Sequence, residues 1–388
     1  MPTKNDFDPN CITQSQMNMI HNSRIYYRRL TTWFWTYLFS RYWGIGTAED
    51  AFGRLYLEAL DIGNMLQILF SREYAEQYSQ LLSRFAITLR ELLDAQSRGD
   101  TEAVNQAVNS LYENVAERAA FLARINPYWS EEEYNELLGT YTRYILEDAN
   151  AIASRDFIED LELHDRFISL TNRMGDVFAE GLFDYITSGT GIVPPEEGEP
   201  CITYDQMNQI YNIRMFWYEM AIWTRNYMLS KYAGLGDVER DFARLKRVPA
   251  IYLNYLRGIF GDRVSEEYEE ALNAYVELLD AFFSAQMEGN IDEINRITQL
   301  LYQNADQRAT LVSAINPFWD AEIARSRLYN NIRATIDEST TFLTGDYARN
   351  IDIFSRLIDL AESTSNFFAE GIFDYINYTA QQGDSEVQ

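Results

Sequence analysis

One feature constrains this chain before any other: it is written twice. Cys11 through Ile186 align without a gap on Cys201 through Ile376, and about 50 of the aligned positions are identical. Matching blocks include Cys11-Ile-Thr13 with Cys201-Ile-Thr203, Gln16-Met-Asn18 with Gln206-Met-Asn208, Asn126-Pro-Tyr-Trp129 with Asn316-Pro-Phe-Trp319, and Phe178-Ala-Glu-Gly181 with Phe368-Ala-Glu-Gly371. A stretch of this length is large enough to bury a core of its own. The reading is therefore two domains, 11–186 and 201–376. Between them, 187–200 gathers Pro194, Pro195 and Pro200 with glycines and glutamates, a composition that suits an extended linker. Residues 377–388 read as a polar tail.

Within a copy the apolar spacing is helical. Tyr78, Leu82, Phe85, Leu89, Leu92 and Leu93 recur every three or four residues, as do Val104, Val108, Leu111 and Val115. Thr13 with Gln16, and Thr203 with Gln206, predict capping boxes, while Ser130 with Glu133 and Asn290 with Glu293 open later helices. Gly99-Asp100 and Gly289-Asn290 predict a turn in which glycine ends one helix and a capping side chain begins the next. No segment reads as a strand. The expected fold class is all-α: two tandem antiparallel helical bundles of about five helices each, related by internal duplication.

The net charge of −27 repels nucleic-acid backbones and anionic lipid, so neither is an expected partner. The most apolar early stretch, Thr31 to Phe39, is too short to cross a bilayer. Met1 to Asn10 is polar and acidic, with no visible secretory signal, and the cytoplasm is the expected compartment. Cys11 and Cys201 are the only cysteines, too few for a zinc site or a disulfide framework. They stand at equivalent points, each just before a helix start, and are expected to stay unpaired rather than to bridge the copies.

Catalytic sets are sought by elimination. His21 and His164 are the only histidines, and the second copy has Tyr211 and Phe354 in their places, so no histidine mechanism is common to both. Asn18 and Leu161 stand where the Glu-x-x-His pairs of di-iron bundles need glutamate. Tyr42-Trp-Gly-Ile-Gly46 and Tyr232-Ala-Gly-Leu-Gly236 follow helices and read as stop signals, not phosphate loops. No metal site, no cofactor and no enzymatic activity are expected.

Polar residues kept in both copies are the candidate site. They are Arg24, Arg54, Asn114, Arg118, Arg143, Arg166, Glu180 and Asp184, with partners Arg214, Arg244, Asn304, Arg308, Arg333, Arg356, Glu370 and Asp374. Asn114 with Arg118, and Glu180 with Asp184, are one helical turn apart and share a face. Two readings stand: an internal network of arginines satisfied by carboxylates and helix ends, or a pocket whose arginines bind a small anion. The Asn-Pro-aromatic-Trp elements precede a helix cap and read as anchors fixing the angle between two helices. The aromatic run Tyr26, Tyr27, Trp33, Trp35, Tyr37 and Tyr42 reads mostly as core, with a subunit interface as the other use.

On Trp217-Tyr-Glu-Met-Ala-Ile-Trp-Thr-Arg225, Arg244-Leu-Lys-Arg-Val-Pro249, Leu301-Tyr-Gln-Asn-Ala-Asp306, Ile315-Asn-Pro-Phe-Trp319 and Gly345-Asp-Tyr347, with Leu111-Tyr-Glu-Asn114 and Ile125-Asn-Pro-Tyr-Trp129 in the first copy, each half resembles a family of short, single-copy helical proteins of spore-forming Firmicutes. Some of its members carry an automated acetylglutamate kinase label. The resemblance implies a helical fold. It implies no kinase, because amino-acid kinases need an α/β sheet with glycine-rich phosphate loops. The family pattern commonly has histidines where this chain has Phe85 and Tyr275, Tyr141 and Asn331, and Met220, so a ligand or metal held through them is expected to be lost. The leading functional expectation is a non-catalytic helical protein acting by self-association or through a protein partner. The alternative is a binding protein with one polar pocket per repeat for a small anionic ligand.

Overall fold

The computed structural model describes residues 8, 10–189 and 199–386. Among them the chain is all-α, with twelve helices and one pairing of two-residue strands, β1 (Ile12–Thr13) beside β2 (Cys201–Ile202). It divides into two compact units, one built on Thr13–Glu199 and the other on Pro200–Gln388, with Cys11 and Ile12 grouped in the second.

The first unit holds α1 (Gln14–Trp43), α2 (Ala48–Met65), α3 (Arg72–Arg98), α4 (Thr101–Ile125), α5 (Glu131–Ser154) and α6 (Phe157–Gly189). The second holds α7 (Tyr204–Ala233), α8 (Val238–Phe260), α9 (Glu266–Glu288), α10 (Ile291–Ile315), α11 (Ala321–Leu343) and α12 (Tyr347–Glu386). In each unit every helix packs on the next and the last returns to the first, closing a ring. Six helices per unit replace the expected five or so. Gly53 and Gly63 inside α2 dilute the helical signal there, which makes that helix hard to see in the sequence. The linker expected at 187–200 falls mostly outside the described residues, and α12 runs to Glu386 through residues expected to form a tail. Along that stretch Asn377 and Thr379 donate to the carbonyls of Phe373 and Tyr375 at 2.9 and 3.0 Å.

Local chemistry sets the helix ends. The Thr13 hydroxyl accepts from the Gln16 amide while the Gln16 side chain accepts from the Thr13 amide at 2.9 Å, and Thr203 with Gln206 repeats the arrangement. Gly99 and Gly289 take φ of 68° and 66° where α3 and α9 stop, and Asp100 and Asn290 then cap α4 and α10. Helices α1 and α7 are buried on all sides, from Leu30 to Ser40 and Met220 to Ser230, so the aromatic run of α1 fills the interior, with Tyr26 and Tyr42 half-buried.

The cysteine expectation is overturned. Cys11 and Cys201 form a disulfide, with Cα atoms 5.0 Å apart. The cause is the strand pairing next to them, which sets the two equivalent chain segments side by side; strands of two residues leave no periodic trace in a sequence. No helix among the described residues is long and apolar enough to cross a membrane.

Candidate anion site

The twice-retained polar residues do not converge on one place. Arg24 on α1 pairs with Asp176 on α6 at 2.6 Å. Its counterpart Arg214 is buried beside Glu362 and Glu370, burial lowering its pKa while those carboxylates oppose the shift. Arg54 and Arg244 are half-buried on α2 and α8, the latter stacked over Trp223 at 4.7 Å. Arg143 and Arg333 are exposed. Arg166 meets Glu159 and Glu162 at 3.3 and 3.5 Å on the surface, and the exposed Arg356 donates to the Asp352 carbonyl at 3.4 Å. Glu180 is half-buried and Asp184 buried, whereas Glu370 and Asp374 are exposed. Arg24 and Arg166 thus meet carboxylates, as the internal-network reading expects, while Arg143, Arg333, Arg356, Glu370 and Asp374 face solvent.

Asn114 and Arg118 differ, as do Asn304 and Arg308. On α4, Leu111, Val115, Ala119 and Leu122 lie on the same helical stripe and are buried, so the helical period itself drives Arg118 into the core. Arg118 is 2% exposed. Tyr27 of α1, Tyr78 of α3 and Tyr141 of α5 surround it, and its guanidinium carbon stands 4.5 Å from the centre of the Phe85 ring. Among the described residues no carboxylate pairs with it, and Nε and Nη2 have no hydrogen-bond partner. The buried hydroxyls of Tyr27 and of neighbouring Tyr134 have none either. Tyr141 meets the Thr31 hydroxyl at 3.1 Å, and Asn114 Nδ2 donates to the Leu81 carbonyl at 2.8 Å.

The second unit repeats the pair in other surroundings. Arg308, also 2% exposed, lies 4.2 Å from the Tyr275 ring centre with Tyr252 and Tyr268 nearby. Its Nε donates to Asn304 Oδ1 at 2.8 Å, Asn304 Nδ2 donates to the Ala271 carbonyl at 2.7 Å, and Nη1 has no partner. Only Tyr78 and Tyr268 correspond; Phe85 answers to Tyr275, Tyr141 to Asn331, Ile62 to Tyr252 and Tyr27 to Trp217. Each unit has thus rebuilt a wall of aromatic hydroxyls around an unchanged Asn–Arg pair.

The electrostatics follow. Burial lowers the pKa of both arginines and raises those of the tyrosines, Tyr268 to about 12. An arginine keeps its proton inside proteins, so each site is a cation faced by neutral phenols that can donate. Placing an ion in the interior costs several kcal/mol even after relaxation. A desolvated cation–π contact returns about 2 kcal/mol. The difference is the part a counter-ion can supply. A cavity of about 10 Å³ lies against Phe85 and Tyr141, but its remaining lining is apolar, including Leu30, Leu82 and Ile145, and Arg118 is not part of it.

No family model, curated protein or solved structure matches the chain.

Two other features are set aside on geometry. The Asn-Pro-aromatic-Trp elements are clamps: Asn126 Nδ2 donates to the Gly181 carbonyl at 2.8 Å, Asn126 Oδ1 accepts from the Tyr128 amide at 3.0 Å, and Trp129 Nε1 donates to the Phe178 carbonyl at 3.3 Å. Asn316 and Trp319 do the same to Gly371 and Phe368 at 2.8 and 3.1 Å. An open groove of about 780 Å³ on α2, α3 and α4 contains Arg84 and Arg124. Arg84 is paired with Glu117, Arg124 stacks on Phe121 at 5.0 Å, and both positions are alanine in the second copy, so the groove is not a duplicated feature. Sequence reasoning picked out Asn114, Arg118, Asn304 and Arg308 by retention, but not the tyrosines around them, whose positions differ between copies.

Proposed function

We propose that this chain is a duplicated helical bundle that binds a small anion in the core of each half, with no catalytic role. One observation carries the reading: a fully buried guanidinium, kept at the same place in both halves, with hydrogen-bonding nitrogen left over and, among the described residues, no carboxylate paired to it. The leftover guanidinium nitrogen and the facing phenols are donors of the kind that recognise a compact anion such as chloride or formate. Among the described residues no group of three or more His, Cys, Asp or Glu is placed to hold a metal.

The test exploits a change of sign. In a preparation freed of small anions, Arg118→Met removes an uncompensated buried charge and raises the unfolding midpoint, because apolar replacement of buried ions is often stabilising by about 1–4 kcal/mol. Titrating chloride, bromide or formate at constant ionic strength stabilises the wild type saturably, by about 2.7 kcal/mol at a hundredfold excess over Kd. The variant, and Arg308→Met for the second site, lose that response one site at a time. An identical, non-saturating response in all three proteins sinks the proposal.

Association remains a second reading, on one observation. Met287, Ile291 and Leu343 are exposed at one end of the second unit, where Gln286 Nε2 donates to Thr340 Oγ1 at 3.2 Å and so brings the ends of α9 and α11 together. The first copy has Ser97, Thr101 and Ala153 there. Light scattering at rising concentration tests it: Met287→Ser with Ile291→Thr abolishes self-association on this reading, and a wild type that is strictly monomeric excludes it. The Cys11–Cys201 bond is of a kind that oxidising compartments sustain, so a cytoplasmic location forms no part of the proposal.

A further inference from the structure

At one level of the bundle the two halves differ in their chemistry. In the second, Arg225 on α7 is ion-paired with Glu338 on α11, donates to Asn350 Oδ1 at 2.9 Å and stacks over Phe354 at 4.3 Å. Asn350 Nδ2 donates to the Glu338 carbonyl at 2.9 Å. Shifting by one repeat, the same four positions in the first half are Trp35, Asp148, Asp160 and His164. The arginine has gone and a second acid has arrived.

Asp148 on α5 and Asp160 on α6 are both buried, and their carboxyls hydrogen-bond each other. Trp35 Nε1 donates to Asp160 Oδ1 at 2.7 Å, and Asp148 Oδ1 has no partner. His164 follows Asp160 by one turn, its ring 6.0 Å from that of Trp35. An ionised carboxylate only accepts, so two carboxyls bond one another only when one of them carries a proton. The pair brackets the α5–α6 turn, where Arg155 takes a left-handed φ of 61° at the position held by Gly345 in the second half.

We infer that a proton does in the first half what the Arg225 guanidinium does in the second: it joins α5 to α6 beneath α1, and its loss as pH rises loosens that junction, so the first half is a pH-responsive element. The geometry is supported by the electrostatics. Burial and mutual repulsion raise Asp148, and burial raises Asp160 to about 6, so the pair holds protons where exposed carboxylates have lost theirs. Both folded-state values lie above the unfolded ones. The stabilisation is therefore complete below about pH 4 and is lost as pH rises through 6 and beyond. The groups that act on the pair are Trp35 from α1 and the two carboxyls themselves, from α5 and α6, with His164 against Trp35, and among the described residues no lysine or arginine acts on it.

The experiment measures denaturant unfolding of the full chain from pH 4 to 8 for the wild type, Asp160→Asn and Asp148→Asn. Asp160→Asn installs the side chain found in the second half and is expected to remove up to one proton from the pH slope of stability, raising resistance to denaturant at pH 8 relative to the wild type. Infrared spectroscopy of the wild type supplies the second readout: a protonated carboxyl band persists at pH 7 and disappears in Asp148→Asn. Parallel slopes for wild type and Asp160→Asn overturn the inference, and if the variants do not fold, absence of a protonated carboxyl in the wild type at pH 7 overturns it equally.

Discussion

Replacing Gly181 by alanine probes the clamp that joins the α4–α5 turn to α6. A Cβ at that position would lie 2.0 Å from Trp129 Nε1 and 2.1 Å from Cδ1. Carbon contacts need about 3.5 Å, so the indole would have to move by about 1.5 Å. It has nowhere to go: the ring is buried, stacked on Phe178 at 4.9 Å, in contact with Phe70 and Tyr134, and tied to the Phe178 carbonyl through its N–H. Overpacking costs about 1–3 kcal/mol, and a buried N–H parted from its acceptor costs about 1–3 kcal/mol more. Alanine returns about 1 kcal/mol through helix propensity. The expected net loss is about 1–5 kcal/mol. Gly139, in the middle of α5, is the control, because a Cβ there meets nothing within 4 Å, and Gly139→Ala should gain about 0.5–1 kcal/mol. Equilibrium denaturation followed by tryptophan fluorescence and circular dichroism compares the three proteins. A Gly181→Ala chain as stable as Gly139→Ala would refute the reasoning.

Two further outcomes are expected. Arg225→Met strands Glu338 in the core and should cost about 3–5 kcal/mol; burial already raises the Glu338 pKa and Arg225 opposes that rise, so the penalty grows from pH 5 to pH 8, and a penalty independent of pH counts against the pair. Reducing the Cys11–Cys201 bond reopens a loop of 190 residues, worth about 5 kcal/mol at most by loop entropy; thiol titration of the unreduced native protein should find no free cysteine, and two titratable thiols would overturn the assignment.

Much of the architecture is legible in the chain because helices announce themselves locally. The capping boxes at Thr13 and Thr203, and the Gly99 and Gly289 stops, are short-range chemistry and appear in the structure where the sequence places them. Long-range relations are less visible. Asn126 and Gly181 are retained for one another across 55 residues, and no periodic pattern links them. The candidate site was legible only in part. Arg118 sits on the apolar stripe of α4, which marks it as buried; that it has no carboxylate partner among the described residues depends on which side chains α1, α3 and α5 bring in. The Asp148–Asp160 pair was hidden for a related reason, since its two members are not shared with the second copy, and attention to retained residues passes over substituted ones.

The N-terminal strand has a topological consequence. Cys11 heads the first repeat in sequence yet is bonded to Cys201 at the head of the second, so the backbone and the disulfide together make a closed covalent circuit around the whole first repeat. A protease that cuts anywhere between residues 189 and 200 therefore yields two polypeptides that migrate as one molecule until a reductant is added. Dissecting the halves for separate study takes both a scissile peptide bond and a broken sulfur bridge.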